Sequence, residues 1–216
     1  MDPFRLAIIA TPVAAYLMLL GLINMSRRPL VVSGPADGAA LGVALTGMAL
    51  VGPIALLRPD DATVTFGAWV WVLLLALYWL VVALVVMLGR PRLVVYNATG
   101  AEIRSALSEA ARQLDPEARW AGDSLCLPKL RVQLYLDTFL GLRNTTLVAS
   151  SPEQDLAGWR KLGRAMTRAA RSIETGRNPS ATWMIAAGAA LLLAAIGSLA
   201  SDPVGVAEAC RQVVEL

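Results

Sequence analysis

The groups best suited to chemistry in this 216-residue chain are the carboxylates and the thiol of its most polar stretch. Six carboxylates between the start of that stretch and its last predicted strand could contribute, namely Glu102, Glu109, Asp115, Glu117, Asp123 and Asp137. Two carboxylates held at a fixed separation could serve as the acid and the base of a hydrolytic reaction. These six are scattered over predicted helix, turn and strand, and nothing in their spacing brings two of them together. The sequence therefore does not support a carboxylate pair.

Imidazole and thiolate chemistry is equally restricted. The chain has no histidine, which excludes the base of a Ser-His-Asp centre and a histidine-ligated haem. Its two cysteines, Cys126 and Cys210, form no CxxC motif, so one chain cannot build a disulfide framework, a four-thiolate metal site or an iron–sulfur site. Cys126 has no adjacent base or cation that would activate its thiol. We therefore expect no metal site, no cofactor and no catalytic cysteine.

The elements that must position these groups are mostly apolar helices. Hydrophobic residues make up 56% of the chain and charged residues only 16%. Four runs contain no Asp, Glu, Lys or Arg, and they are Leu6–Met25, Gly38–Leu57, Phe66–Leu88 and Ala181–Ala200. A helix of about 20 residues covers the hydrocarbon core of a bilayer. The sequence predicts an α-helical membrane protein with three spans in residues 1–89 and a fourth in 180–201, with tight connections at 26–37 and 58–65.

The basic residues predict the orientation. Of the 19 Lys and Arg residues, 14 lie between Arg90 and Arg177. Basic residues concentrate on the cytoplasmic side of a membrane, so we expect residues 90–179 to be cytoplasmic. Both termini are then expected on the opposite, external side of the inner membrane. The remaining residues, 202–216, form a predicted external helix that starts with Asp202 as its cap and Pro203 as its first residue.

Residues 90–179 are predicted to form a small α+β domain of order β-α-β-β-β-α between the third and fourth spans. The first strand is Arg92–Tyr96, and a capping box at Thr99 and Glu102 opens a helix that stops at Asp115. Three β-like stretches follow, around 118–127, 130–137 and 143–149, with a turn at Gly122-Asp123 in the first. A second capping box at 151–154 opens a helix that runs to about Ile173. We expect a mostly antiparallel sheet with both helices on one face.

The second helix of this domain has two clearly different faces. Its predicted apolar face is Leu156, Trp159, Leu162, Met166, Ala169 and Ile173. Its basic face is Arg160, Lys161, Arg164, Arg168 and Arg171. Three interpretations of the basic face stay open: a solvated surface, contact with anionic lipid headgroups, or contact with a protein partner. A nucleic-acid partner is disfavoured.

Small residues mark two of the spans. The candidate packing residues are Gly38, Gly42 and Gly47 in the second span and Ala187, Ala190, Ala194 and Gly197 in the fourth. Small side chains allow helices to approach closely, either within the bundle or between subunits. Tyr78 and Trp79 lie in the middle of the third span, where their polar atoms need a protein neighbour.

Three function classes remain. The sequence favours a non-catalytic membrane scaffold or accessory subunit, with membrane lipids and another membrane or cytoplasmic protein as its expected partners. The first alternative is a component of a channel or carrier for a neutral or lipidic solute, although the spans lack the ionisable side chains that pumps use. The second alternative is a membrane-associated enzyme that uses carboxylates. A water-filled path would favour the first alternative and converging carboxylates the second.

Overall fold

The computed structural model describes residues 3–54, 67, 69–151, 154–176 and 178–207, with only the backbone of Pro53, Ile54 and Leu140. The chain divides into two compact units. The helical unit comprises Met1–Leu19, Gly38–Met87 and Met184–Leu216. The sheet unit comprises Leu20–Asp37 and Leu88–Trp183.

Four long helices contribute to the helical unit. They are α1 (Pro3–Met25), α2 (Gly34–Ala49, continued by a π-helical turn at Leu50–Ile54), α3 (Trp69–Leu88) and α6 (Pro179–Ser201). Each is long enough and apolar enough to cross a membrane, with a mean hydropathy between 1.3 and 2.8 in its most apolar part. The four predicted apolar helices are therefore confirmed. The predicted second and third spans extend into residues 55–66, which lie outside the described part of the chain.

Close backbone approaches at glycines join these helices. A Cβ atom at Gly38 would lie 2.8 Å from Val86 of α3, and one at Gly42 would lie 2.8 Å from Val82. A Cβ atom at Gly47 would overlap the carbonyl oxygen of Ile8 in α1. Helix α2 thus packs against α3 through one end and against α1 through the other, as small residues permit.

The sheet unit contains six antiparallel strands in the order β1-β2-β6-β5-β4-β3. The strands are β1 (Leu30–Ser33), β2 (Arg92–Tyr96), β3 (Arg119–Ala121), β4 (Ser124–Leu127), β5 (Val132–Phe139) and β6 (Asn144–Ala149). Two helices, α4 (Gly100–Leu114) and α5 (Leu156–Ala170), share one hydrophobic core with the sheet. The fully buried side chains at the centre of this core are Val95, Ile103, Leu107, Leu134, Leu147, Leu162 and Met166. The predicted antiparallel sheet is confirmed.

Two features of the sheet differ from the sequence expectation. The predicted tight connection at 26–37 contains β1, which pairs with β2 from Leu30↔Tyr96 to Ser33↔Leu93. Four strands follow α4 instead of three, because the stretch 118–127 folds back on itself. Its hairpin turn lies at Gly122 and Asp123 as predicted, and Gly122 adopts a φ of +63°, which favours glycine. The order within residues 90–179 is therefore β-α-β-β-β-β-α, and a strand from outside that range completes the sheet.

The caps of the helices follow the sequence in two places and differ in a third. Thr99 and Glu102 form the predicted capping box of α4, and Asp202 Oδ1 accepts a hydrogen bond of 2.9 Å from the Gly205 backbone N–H. Helix α5 starts later than predicted. Its N-cap is Asp155, whose carboxylate accepts from the backbone N–H groups of Ala157 and Gly158. An Asp immediately before the first helical residue is a strong cap. Helix α5 is therefore capped by Asp155 and not by the predicted capping box at 151–154.

Candidate functional site

Helix α5 is fixed to the sheet at its N-terminal end. The side chain of Gln154 pairs with the backbone of Gln133 in β5, accepting from its N–H at 3.1 Å and donating to its C=O at 2.7 Å. The same Gln154 oxygen accepts a 2.8 Å hydrogen bond from the indole of Trp159. A Cβ atom at Gly158 would overlap the carbonyl oxygen of Leu130. These contacts set the rotation of α5 about its own axis and therefore which of its side chains reach solvent.

The predicted basic face of α5 lies on the exposed side of the helix. All five of its residues are exposed, namely Arg160, Lys161, Arg164, Arg168 and Arg171. Within the described ranges, none of these five side chains forms an ion pair with a carboxylate. On the opposite side, Trp159, Leu162 and Met166 are buried, whereas Leu156 is 59% exposed and does not contribute to the core. Because positive charges so close together repel one another, this face favours an anionic neighbour.

The carboxylates of the sheet unit are distributed among separate partners. Asp37 accepts hydrogen bonds from Tyr96 Oη and from Arg92 Nη2. The other pairs are Glu102 with Arg143, Asp123 with Arg104 and Glu117 with Lys129, at 3.2, 3.0 and 3.6 Å. Asp115 is buried and accepts from the backbone N–H groups of Glu117 and Lys129. Among the described residues no group of three or more potential metal ligands occurs. These five carboxylates thus act as caps and hydrogen-bond or ion-pair partners, and among the described residues we see no pair of them arranged for acid–base catalysis.

Glu102 is the carboxylate with the clearest electrostatic signature. Burial by itself would raise the pKa of Glu102, but hydrogen bonds with Thr99 and the nearby Arg143 guanidinium outweigh it, and the pKa is lowered from its ordinary value of 4.5. Since the charged form of Glu102 is favoured, the capping box and the ion pair with Arg143 are strongest above that value.

Cys126 lies beside a shallow cavity of about 350 Å³ in the sheet unit. The cavity is lined by Cys126, Leu127, Pro128, Arg131, Val132, Gln133, Ser151 and Gln154. The Cys126 Sγ atom accepts a 3.6 Å contact from the amide of Gln133. Among the described residues that line this cavity there is no carboxylate and no histidine, so these residues supply no general base for the thiol. Cys210 lies outside the described residues.

A cluster of buried polar side chains is the feature that sequence reasoning missed. Asn24, Asn97, Thr175 and Asn178 are all buried. Asn178 Nδ2 donates to Asn24 Oδ1 at 2.9 Å, and Asn97 Nδ2 donates to the carbonyl of Ser26 at 2.6 Å and to Thr175 Oγ1 at 3.0 Å. We call this set the polar junction. Asn178 precedes Pro179, a pattern typical of a helix start. This pattern is a sequence signal for the cap at Asn178, but it does not predict the other members of the polar junction.

The predicted packing residues of α6 lie on a different side from its contacts within the helical unit. Ala187, Ala190, Ala194 and Gly197 are exposed, and a Cβ atom at Gly197 would meet nothing within 4 Å. The contact with α1 is made at Gly188, where a Cβ atom would lie 2.8 Å from the carbonyl oxygen of Ala14. In α2, by contrast, Gly38, Gly42 and Gly47 all lie against neighbouring helices.

The aromatic pair in α3 finds its polar partner in α2. Tyr78 Oη donates a hydrogen bond of 2.6 Å to the carbonyl oxygen of Gly42. The rings of Tyr78 and Trp79 are 5.6 Å apart in an edge-to-face arrangement. The mid-helix hydroxyl therefore has the protein neighbour that its position requires.

Comparison with known proteins adds no relative from which a role could be transferred. No protein-family model matches the chain, and neither a curated protein nor a solved structure is similar to it.

Proposed function

We propose that this protein is a non-catalytic membrane scaffold or accessory subunit, and that the basic face of α5 binds an anionic partner. The four apolar helices insert in the inner membrane as spans, and the sheet unit faces the cytoplasm. The orientation follows from the distribution of Lys and Arg, of which 14 of 19 lie between Arg90 and Arg177. The exposed charge of α5, which has no carboxylate partner among the described residues, carries the proposal.

Two kinds of anionic partner could bind the positively charged side chains of this face. Anionic headgroups of the inner leaflet attract each nearby Lys or Arg by about 1 kcal/mol. An acidic surface on another protein would use the same five residues, with guanidinium groups suited to bidentate contact with carboxylates. Glu102, Glu117 and Asp123 already form ion pairs with neighbouring basic side chains, which favours binding over catalysis among the described residues.

The decisive experiment compares two triple variants of the full-length protein that lose the same charge. The test variant is Arg160→Gln, Arg164→Gln and Arg168→Gln on the basic face. The control variant is Arg112→Gln, Arg119→Gln and Arg131→Gln, three exposed arginines elsewhere in the sheet unit. Each protein is purified from native membranes in mild detergent, and the proteins that accompany it in fixed ratio are identified by mass spectrometry. Each is also reconstituted in nanodiscs with neutral or anionic lipid for amide hydrogen exchange of α5.

The outcomes separate the two partners. A companion protein lost from the test variant and kept by the control establishes an accessory subunit that docks through α5. Protection of α5 in anionic nanodiscs, absent in neutral ones and in the test variant, establishes contact with the leaflet. If the protein is purified alone and exchange of α5 is the same in both lipids, the proposed binding role is wrong.

The membrane orientation has its own simple test. An impermeant thiol reagent applied to sealed, right-side-out cells should modify Cys210 and spare Cys126 until the membrane is opened. Reaction of Cys126 in sealed cells would contradict the proposed orientation, because that residue belongs to the sheet unit.

A further inference from the structure

We propose that the tip of the β5–β6 hairpin enters the interfacial layer of the membrane beside the N-terminal end of α6. The hairpin tip comprises Phe139 and the 3₁₀ turn Leu140–Leu142, which connects β5 to β6. This inference rests on the proposed function, since it requires that α1 and α6 are membrane spans.

Hydrogen bonds hold the tip at the first residues of α6. Ser180 Oγ donates to the carbonyl oxygen of Gly141 at 2.9 Å, and Asn178 Nδ2 lies 3.3 Å from the carbonyl oxygen of Leu142. Asn178 also caps α6, because its Oδ1 accepts from the Ser180 backbone N–H at 3.1 Å. The hairpin tip is therefore fixed at the level where this helix begins.

The end of α1 is held at the same level. Asn24, in the last turn of α1, accepts the hydrogen bond from Asn178. Within the sheet unit, hydrogen bonds therefore join the last turn of α1, the first residues of α6 and the hairpin tip. If the first residues of α6 lie among the lipid headgroups, the tip that is hydrogen-bonded to them lies there as well.

The side chains at this level have the composition of a membrane interface. Phe139 is 64% exposed, Met25 at the end of α1 is 61% exposed and Trp183 is 77% exposed. Trp183 lies about 7 Å beyond Asn178 along α6, at 1.5 Å per residue. Aromatic side chains concentrate at the boundary between headgroups and hydrocarbon. The adjacent Arg27 and Arg28 are exposed and positively charged, which matches anionic headgroups.

The interface contact gives Phe139 a reason to be exposed. The side chain of Phe139 lies outside the core of the sheet unit, and insertion in the interface removes its apolar surface from water, which is favourable.

Site-directed spin labelling of the full-length protein in nanodiscs tests this inference. In a background of Cys126→Ser and Cys210→Ser, single labels are placed through Phe139→Cys, Leu77→Cys and Lys129→Cys. Leu77 is exposed in the middle of α3 and reports the hydrocarbon core. Lys129 precedes the far end of β5, about 24 Å from the tip along the strand, and reports water. The ratio of collision rates with oxygen and with a water-soluble nickel complex reports the depth of each label.

We expect this ratio to be severalfold higher at position 139 than at 129 and to be highest at 77. A label at 139 that matches the one at 129, while 77 reports lipid, overturns the hairpin-tip inference and leaves the proposed function intact. A label at 77 that reports water overturns both. A label at 139 shielded from both reagents shows protein over the tip and also overturns the inference.

A second measurement uses the unchanged chain. Nanodiscs containing a lipid with a photoreactive group near its headgroup are irradiated, and cross-linked peptides are identified. Cross-links to residues 139–142 are expected together with those to Trp183. Cross-links to Trp183 without any to the hairpin tip would contradict the inference even if the labelled variant failed to fold.

Discussion

Asn178 Nδ2 donates a hydrogen bond of 2.9 Å to Asn24 Oδ1, joining two residues that are 154 positions apart in the chain. Both side chains are buried in the sheet unit. Asn24 also donates to the carbonyl oxygen of Leu20 within α1, and Asn178 also caps α6. A single amide pair thus joins the end of the first long helix to the start of the last one.

The first prediction concerns this amide pair. The substitution Asn178→Ala removes the cap of α6 and leaves Asn24 Oδ1 and the carbonyl of Leu142 without this donor. We expect the free energy of unfolding to fall by about 1–3 kcal/mol, from the lost cap and the desolvated groups. The measurement is thermal unfolding in detergent. Ser198→Ala is the control, because that hydroxyl donates only to the carbonyl of Ala195 in its own helix. Equal effects of the two substitutions would contradict a special role for the pair.

The second prediction concerns the close approach of α1 and α2. The substitution Gly47→Ala places a methyl group against the carbonyl oxygen of Ile8, where only backbone can yield. We expect a loss of about 1–3 kcal/mol of stability as the helices separate. Gly197→Ala adds the same group to α6 where nothing lies within 4 Å, and it should leave the melting temperature unchanged or slightly raised. A destabilising Gly197→Ala would indicate that this exposed stripe contacts another subunit.

The third prediction concerns pH. The pKa of Glu102 in the folded protein is lower than its ordinary value of 4.5, so the unfolded chain takes up the proton first as the pH falls. Its stabilising contribution is therefore fully present above 4.5 and is lost as the pH falls below 4.5 through the folded-state value. The variant Glu102→Gln should show a flatter fall of melting temperature in this range than the wild type.

The control for that experiment is Glu109→Gln, which changes an exposed residue of the same helix that has no ion pair among the described residues. If Glu102→Gln and the wild type lose stability in parallel below pH 4.5, the ion pair with Arg143 and the capping box do not contribute as described.

The fourth prediction concerns β1. A fragment containing only residues 88–178 lacks β1, so the apolar strand β2 becomes an unpaired edge of the sheet. We expect such a fragment to self-associate, because an unpaired apolar strand edge pairs with other chains. The same fragment preceded by residues 28–37 through a flexible linker should be monomeric. Sedimentation velocity distinguishes the two, and a monomeric, folded fragment without β1 would show that this strand is dispensable.

The features that depend on neighbouring residues could be predicted from the amino-acid sequence. Each apolar helix could be read from the length of an uncharged run, and the capping box at Thr99 and Glu102 from two side chains three positions apart. The two faces of α5 follow from helical periodicity, and the turn at Gly122 from a residue that tolerates positive φ. These are local properties, because each depends on residues that are close together in the sequence.

Contacts between distant segments could not be predicted from the sequence and are known from the folded chain. Strand β1 has only four residues, too few for the sequence to predict a strand. Its first residue, Leu30, pairs with Tyr96, which lies 66 positions further along the chain. The contact side of α6 is set by Gly188 and not by Gly197, because a helix that is apolar on all sides does not encode its rotation. The polar junction unites Asn24, Asn97 and Asn178, each of which has an ordinary local environment in the sequence. Burial and long-range hydrogen bonding create that cluster, and only the folded chain brings its members together.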